Sequence, residues 1–352
     1  MIYISLLIGM WVTSPLVQKT AKIGRKYRGD KIYVVSWGVI LLALVAFRSK
    51  DVGRDTVMYE IIFQRAEGSV SLNGFLHEYV STEYGYHILE YIVSRFAGYR
   101  TFIVIIACIS IIPVLFVISK YSDDKPLSMI LYLCFPYYTF CMSAMRQAAA
   151  MGCIAIAYYF VKEKKTICFI ITCFVAYCFH SSAMLFLPIY WLDKIPYKQW
   201  TRIAAIATMV IAYIFRTTLW SIATLFARQQ YFSNKAGGQK MYLFMILSVI
   251  LGFIFRKKFV ENEKNSNKIL LYLQMLSVMI WPMASINSAT FRMYYYYHMF
   301  IILYVPIVLK SILSKDTRIV VKYGFVFVGV YFLCSQILPV QQGYNPYAFF
   351  WQ

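Results

Sequence analysis

The sequence predicts an all-α, polytopic transmembrane protein of about twelve helices, and three observations carry that prediction. Apolar residue types make up 61% of the 352 residues. The polar remainder is too small to clothe a soluble core of that size. Apolar runs of 15 to 20 residues recur between short basic clusters, which is the length a helix needs to cross a bilayer. The runs lie near 2–17, 31–47, 101–118, 127–144, 147–161, 166–192, 201–215, 241–255, 269–287, 293–309 and 319–338. The run 166–192 is too long for one span and divides at "FHSS", Phe179 to Ser182. No Pro-rich linker, long soluble segment or internal repeat is visible. Residues 1–352 therefore read as a single integral membrane domain, with outer loops 48–100 and 216–240 framing a cavity. The first run has its positive charges after it rather than before it, so it reads as a span and not as a cleavable signal.

Charge orients the spans. The clusters "QKTAKIGRKYRGDK" (18–31), "KYSDDK" (120–125), "KEKK" (162–165), "DKIPYK" (193–198), "RKKFVENEKNSNK" (256–268) and "KSILSKDTRIVVK" (310–322) fall on one side if each run crosses once. The positive-inside rule makes that side the cytoplasm. Both termini then lie outside, as do the loop 48–100, the Met145–Arg146 junction, the loop 216–240 and the Asn287–Arg292 junction. The net charge of +20 comes mostly from inner Lys facing anionic lipid, so membrane lipid is the expected partner and nucleic acid is not.

The two faces differ in kind as well as number. The inner side holds 18 Lys and 5 Arg, whereas the outer places hold 9 Arg and 3 Lys. Arg presents a planar, permanently charged fork suited to phosphate, so an Arg-rich outer face suggests an anionic ligand. Arg65, Arg95 and Arg100 fit equally well as residues snorkelling at helix ends. Seven of the fifteen acids lie in the loop 48–100, at Asp51, Asp55, Glu60, Glu67, Glu78, Glu83 and Glu90, and the outer face carries none beyond it. Any outward-facing chemistry that uses a carboxylate must take it from this loop. All eight Cys lie in apolar runs, which suits packing. The four His have no zinc-ligand spacing, so no metal and no cofactor is expected.

Four outer positions could carry chemistry. "FRSKDVGRDTVMYE" (47–60) offers Arg48 as an anion contact, and Asp55 as a base or as the N-cap of an amphipathic helix "TVMYEIIFQRA" with Tyr59 and Phe63 on one face. "SAMRQAAAMG" sets Arg146 and Gln147 among small residues that let helices approach closely. An arginine at the membrane edge with no acid near it in sequence needs a partner or a wet cavity. "YCFHSSAMLFLP" places His180 as a helix break, a general base or a ligand donor. "NSATFRMYYYYH" puts Arg292 beside four Tyr, Tyr295 among them, which read as an interfacial belt or a sugar-stacking platform. The loop 216–240 adds Arg216, Arg228 and a Gly-Gly hinge, with an apolar middle that suits a surface helix or a lid.

These stretches, together with "NPYAFF" near the end, occur in the order of the EpsG family of Wzy-like polysaccharide polymerases, which the chain resembles from about residue 30 to 350. The matching positions are Arg48, Gly53, Asp55, Thr56 and Tyr59, then Arg146 and Gln147, then His180, then Arg292; Arg54 stands where the family pattern varies. The resemblance implies a helical membrane glycosyltransferase loosely akin to the GT-C enzymes. It would join undecaprenyl-diphosphate-linked repeat units at the outer face of the bacterial cytoplasmic membrane without a metal, with a chain-length regulator as a possible partner. In that chemistry Arg146 and Arg292, assisted by Arg48 or Arg228, would clamp the leaving diphosphate. Asp55 is the first choice for the base, with His180 as the other, and Gln147, Tyr59 and Tyr295 would contact the substrate. Competing expectations are a lipid-linked oligosaccharide flippase, an O-antigen ligase and a membrane acyltransferase. The one-sided charges and the lack of repeated halves weigh against the flippase.

Overall fold

The structure, a computed structural model, describes residues 2–22, 26–79, 83–192, 194–226, 238–256, 267–287, 290–339 and 343–352. Helix dominates these residues and no strand occurs among them; one isolated antiparallel bridge joins Arg48 to Phe349. The chain forms two compact units, residues 1–184 with 320–352, and residues 185–319.

The first unit begins with α1 (Ile2–Lys22) and α2 (Lys26–Ala46). The loop 48–100 then folds into three short helices, α3 (Thr56–Gly68), α4 (Leu72–Tyr79) and α5 (Tyr84–Ser94). Next come α6 (Tyr99–Tyr121), α7 (Lys125–Cys134), α8 (Pro136–Ser143), α9 (Met145–Lys162) and α10 (Thr166–Phe179). Helix α9 packs between α6 and α10. The small residues after Arg146 explain how closely: a Cβ on Gly152 would stand 2.1 Å from the Ile109 carbonyl oxygen. The run 127–144 breaks in two because Pro136 offers no N–H and forces Phe135 into extended backbone, so α8 starts afresh with Pro at its first position. Helix α10 stops at the expected "FHSS", with His180 extended at φ −156°, ψ 120°.

After α10 a 3-10 turn, Ser181–Phe186, carries the chain from the first unit into the second, which holds α11 (Ile189–Leu192), α12 (Gln199–Ile214), α13 (Arg216–Phe226), α14 (Gln239–Ile254), α15 (Lys268–Ala284), α16 (Phe291–His298) and α17 (Ile301–Ser311). Helix α15 is its hub, contacting α11 to α14 and α16 and α17. The last helix, α18 (Lys315–Ile337), joins the first unit from Val320 onward.

Among the described residues three helices are long and apolar enough to cross a membrane, within α2, α6 and α18; the pair α12–α13, bent by 79°, would make a fourth. Other apolar runs form helices of 10–17 residues. The expected count of about twelve helices, several of them short, is reached only by including those shorter helices of the described residues. Breaks such as the one at Pro136 divide runs that composition alone reads as continuous.

The basic clusters of the first unit do converge. Lys120 pairs with Glu163 at 2.8 Å, Lys125 with Asp30 at 3.1 Å and Lys322 with Asp124 at 2.8 Å. Four of the predicted inner clusters therefore share one end of this unit. Tyr3 and Tyr347 stack edge to face, 6.2 Å apart, and Tyr3 reaches Met142 at the other end.

Candidate functional site

At the end of α2, α6 and α9 away from those ion pairs, the first motif, the second motif and the C-terminal segment tie together through backbone. Gly53 adopts φ 103°, and a Cβ there would meet the Met142 carbonyl oxygen at 2.2 Å, so the turn admits only glycine. Thr56 Oγ1 lies 3.1 Å from that same carbonyl oxygen and 2.9 Å from that of Val52. The Gly53 N–H donates to the Gly343 carbonyl at 2.8 Å, the Ser49 N–H to Ala348 at 2.8 Å, and the Phe350 N–H to Phe47 at 3.1 Å. The Tyr347 hydroxyl donates to the Leu44 carbonyl at 2.7 Å, and Tyr344 pairs with the Ser143 hydroxyl. "NPYAFF" is thus a strap across the first motif.

Arg48 belongs to this knot and not to a ligand. It is fully buried. Its Nε donates to the Val52 carbonyl at 3.2 Å, one terminal nitrogen to Val45 at 2.5 Å, and the other faces Met145 Sδ at 3.1 Å. Arg100 donates to the carbonyls of Ala46 and Arg48 at 3.1 and 2.8 Å and covers the Phe350 ring at 4.2 Å. Arg95 does the same at the end of α3, reaching the carbonyls of Ala66, Glu67 and Ser69. These outer arginines answer the orphan carbonyls and partial negative charge at helix C-termini. Arg95 and Arg100 thus take the helix-end role that the sequence also allowed them, and Arg48, expected as an anion contact, is instead wholly buried on backbone carbonyls.

Arg146 is different. It opens α9, and its Nη1 meets Glu83 Oε2 at 2.6 Å, with the guanidinium 5.7 Å from the centre of the Tyr59 ring. The other oxygen of Glu83 bonds His180 Nδ1. One carboxylate therefore bridges the second and third motifs, 34 residues apart in sequence, and Tyr59 brings in the first. Glu83 precedes α5 in left-handed backbone, φ 65°, ψ 42°, a conformation rare for a side-chain-bearing residue and tolerated where surroundings fix it. Side-chain exposure is 6% for Glu83, 15% for His180 and 27% for Arg146, so the acid is the most covered of the three. Burial alone would push the Glu83 carboxyl up. The hydrogen bond and charge of His180, with Arg146 and, farther off, His87, overcome that and hold it below the usual carboxylate range. Nδ1 of His180 is committed to Glu83, and Nε2 makes no hydrogen bond among the described residues.

Behind this cluster lies a second pair on α5. His87 Nδ1 and Glu90 Oε2 are 2.5 Å apart, and both residues are buried. Burial pushes the Glu90 carboxyl up despite its bond to His87.

The remaining predicted positions fall elsewhere. Asp55 occupies the N-cap position of α3, half-buried, and makes no side-chain cap hydrogen bond. Gln147 is buried beside Arg146 in sequence. Arg292 stands half-buried in the first turn of α16, in the second unit. The four tyrosines Tyr294 to Tyr297 are all buried. They are a packed core and not an interfacial belt, and Tyr295, 8% exposed, offers no open platform for a sugar. Arg228 lies outside the described residues, as do the other positions of 227–237 in the loop 216–240. Sequence reasoning missed Glu83 as an individual. The usable signal was that Arg146 needed an acid and that loop 48–100 held every outer one.

Compared with known families, residues 31–349 of the chain match the EpsG family, nearly the whole length. No curated protein and no solved structure matches.

Proposed function

The chain belongs to the EpsG family, and on that premise we propose that it is a membrane-bound polysaccharide polymerase that joins undecaprenyl-diphosphate-linked repeat units at the outer membrane face. The family supports a Wzy-like polymerase role in general, and the apolar helices support a membrane protein. The observation that carries the finer reading is the convergence of Arg146 and His180, from two separate family motifs, on the single carboxylate of Glu83.

In this reading a hydroxyl of the acceptor repeat attacks the anomeric carbon of the donor chain. The new glycosidic C–O bond forms as the anomeric carbon–diphosphate bond breaks. The electron pair leaves on the lipid diphosphate, and the hydroxyl proton passes to His180 Nε2. Glu83 holds the His180 ring in the tautomer that leaves Nε2 open and stabilises the imidazolium once it forms, the part a buried acid plays toward histidine in hydrolytic triads. Arg146, held by Glu83 and Tyr59, offers its remaining donors to the leaving diphosphate, where developing charge needs them. Asp55 gives way to His180 as base because His180 has an orienting partner.

Incubating the purified full chain with lipid-linked repeat units, with a chelator in a parallel tube, tests this. A ladder of longer glycans in both tubes is expected. Translocation of the lipid without elongation would replace this reading with the flippase.

A further inference from the structure

The second unit carries a groove of about 980 Å³ between α12, α14 and α15. Its floor follows one face of α14 for most of the helix, through Gln239, Tyr242, Leu243, Ile246, Val249 and Phe253. Those fourteen residues of rise span about 21 Å, most of the depth of a bilayer's hydrocarbon. The walls are Val210 and Tyr213 of α12 and Val278 and Trp281 of α15. The trough is graded. Toward Phe253 it is wholly apolar, and several lining side chains, Val210, Leu243 and Ile250 among them, are more than two-fifths exposed. Toward Gln239 it turns polar, with Arg216, Thr217 and Ser285.

The polar end is built rather than incidental. Tyr213, Tyr242 and Trp281 form a ladder of parallel rings across the three helices, with centroid spacings of 6.2 and 4.4 Å and interplanar angles of 4° and 11°. Arg216 sits at the elbow between α12 and α13, its guanidinium 4.9 Å from the Tyr213 ring centre. One of its nitrogens donates to the Tyr213 carbonyl at 2.9 Å. The Trp281 indole is 2% exposed, and its Nε1–H has no hydrogen-bond partner among the described residues. A buried unpaired donor costs stability unless something accepts from it. No Asp or Glu lines the groove. A cation and an aromatic ladder at one end of a long apolar trough, with no acid along it, match an amphiphile with one extended chain and an anionic head.

We infer that this groove seats a polyprenyl diphosphate, its chain along α14 between Val210 and Phe253 and its diphosphate at Arg216. The identity of the lipid rests on the polymerase reading; the groove and its polarity do not. Arg216 is then a binding residue that the chain uses to hold the lipid in register.

The test uses the full chain in phosphatidylethanolamine vesicles, with a photoreactive benzophenone side chain replacing Ile246 in the groove or Leu247 on the outer face of the same helix. A radiolabelled long-chain polyprenyl diphosphate is the probe. Position 246 should label saturably, with competition by unlabelled polyprenyl diphosphate and none by the uncharged polyprenol or by phosphatidylglycerol, while position 247 labels without saturation. Arg216→Ala should raise the half-saturating concentration at position 246 about tenfold, the loss expected for one charged hydrogen-bonding partner. Equal labelling at the two positions, or equal competition by phosphatidylglycerol, would overturn the inference and leave a lipid-facing surface. Blocking the groove with Ile246→Trp and, separately, Val210→Trp guards against a folding artefact. Glycan elongation at the normal rate in both would sink the groove and spare the polymerase. Saturable labelling in a protein that never elongates would do the reverse.

Discussion

Arg48 and Arg146 look alike in the sequence, each an arginine at the outer edge of an apolar run, and the fold gives them opposite environments. Arg48 is wholly enclosed, has no carboxylate partner among the described residues and bonds to backbone carbonyls where α2 ends. Arg146 is 27% exposed and holds a carboxylate at 2.6 Å. The first secures a crossing of backbone segments; the second belongs to a cluster with the ingredients of acid–base chemistry. A motif arginine is thus not evidence of a ligand until its acceptors are known.

Breaking each site should separate the two roles. Arg48→Ala strips the Val45 and Val52 carbonyls of their donor inside the knot. A loss of about 3 kcal/mol or more is expected for an emptied buried charge site, read as collapse of the monodisperse peak on size-exclusion chromatography. Gly53→Ala should come close to it, since the new methyl would need the Met142 carbonyl to move and the backbone would hold an unfavourable positive φ. Glu83→Gln should leave the protein folded while slowing elongation by about 10² to 10⁴, the range for disorienting a catalytic histidine. Tyr59→Phe removes only the hydroxyl that bonds Arg146, so elongation should fall by less than about tenfold.

The depressed Glu83 carboxyl also sets a direction with pH. Its pairs contribute fully above the ordinary carboxylate value of about 4.3, and that contribution is lost as pH falls through the lower folded value. Wild-type melting temperature should therefore drop on acidification more steeply than that of Glu83→Gln, which starts lower at neutral pH. Parallel curves would remove the ionised carboxylate from the account.

Much of this was legible before any coordinates. The helical class, the break at "FHSS" and the α3 helix over "TVMYEIIFQRA" follow from composition, from a polar interruption and from apolar spacing, which are local properties. The sequence also confined any outer carboxylate to loop 48–100. It could not choose Glu83 over Asp55, because that choice depends on a left-handed residue ahead of α5 that carries the acid to α9 and α10. Nor could it show that Arg95 and Arg100 end their reach on helix carbonyls, or that four consecutive tyrosines are all buried, since burial on every side of a helix requires neighbours that periodicity does not name.

The central claim is that Glu83, His180 and Arg146 perform the transfer while the Arg48 knot holds the frame. Single-turnover elongation of a lipid-linked repeat by His180→Gln protein, matched to wild type for melting temperature, tests it most directly. The account predicts a rate lowered by about 10² or more with lipid binding unchanged. Wild-type elongation by that variant would contradict it.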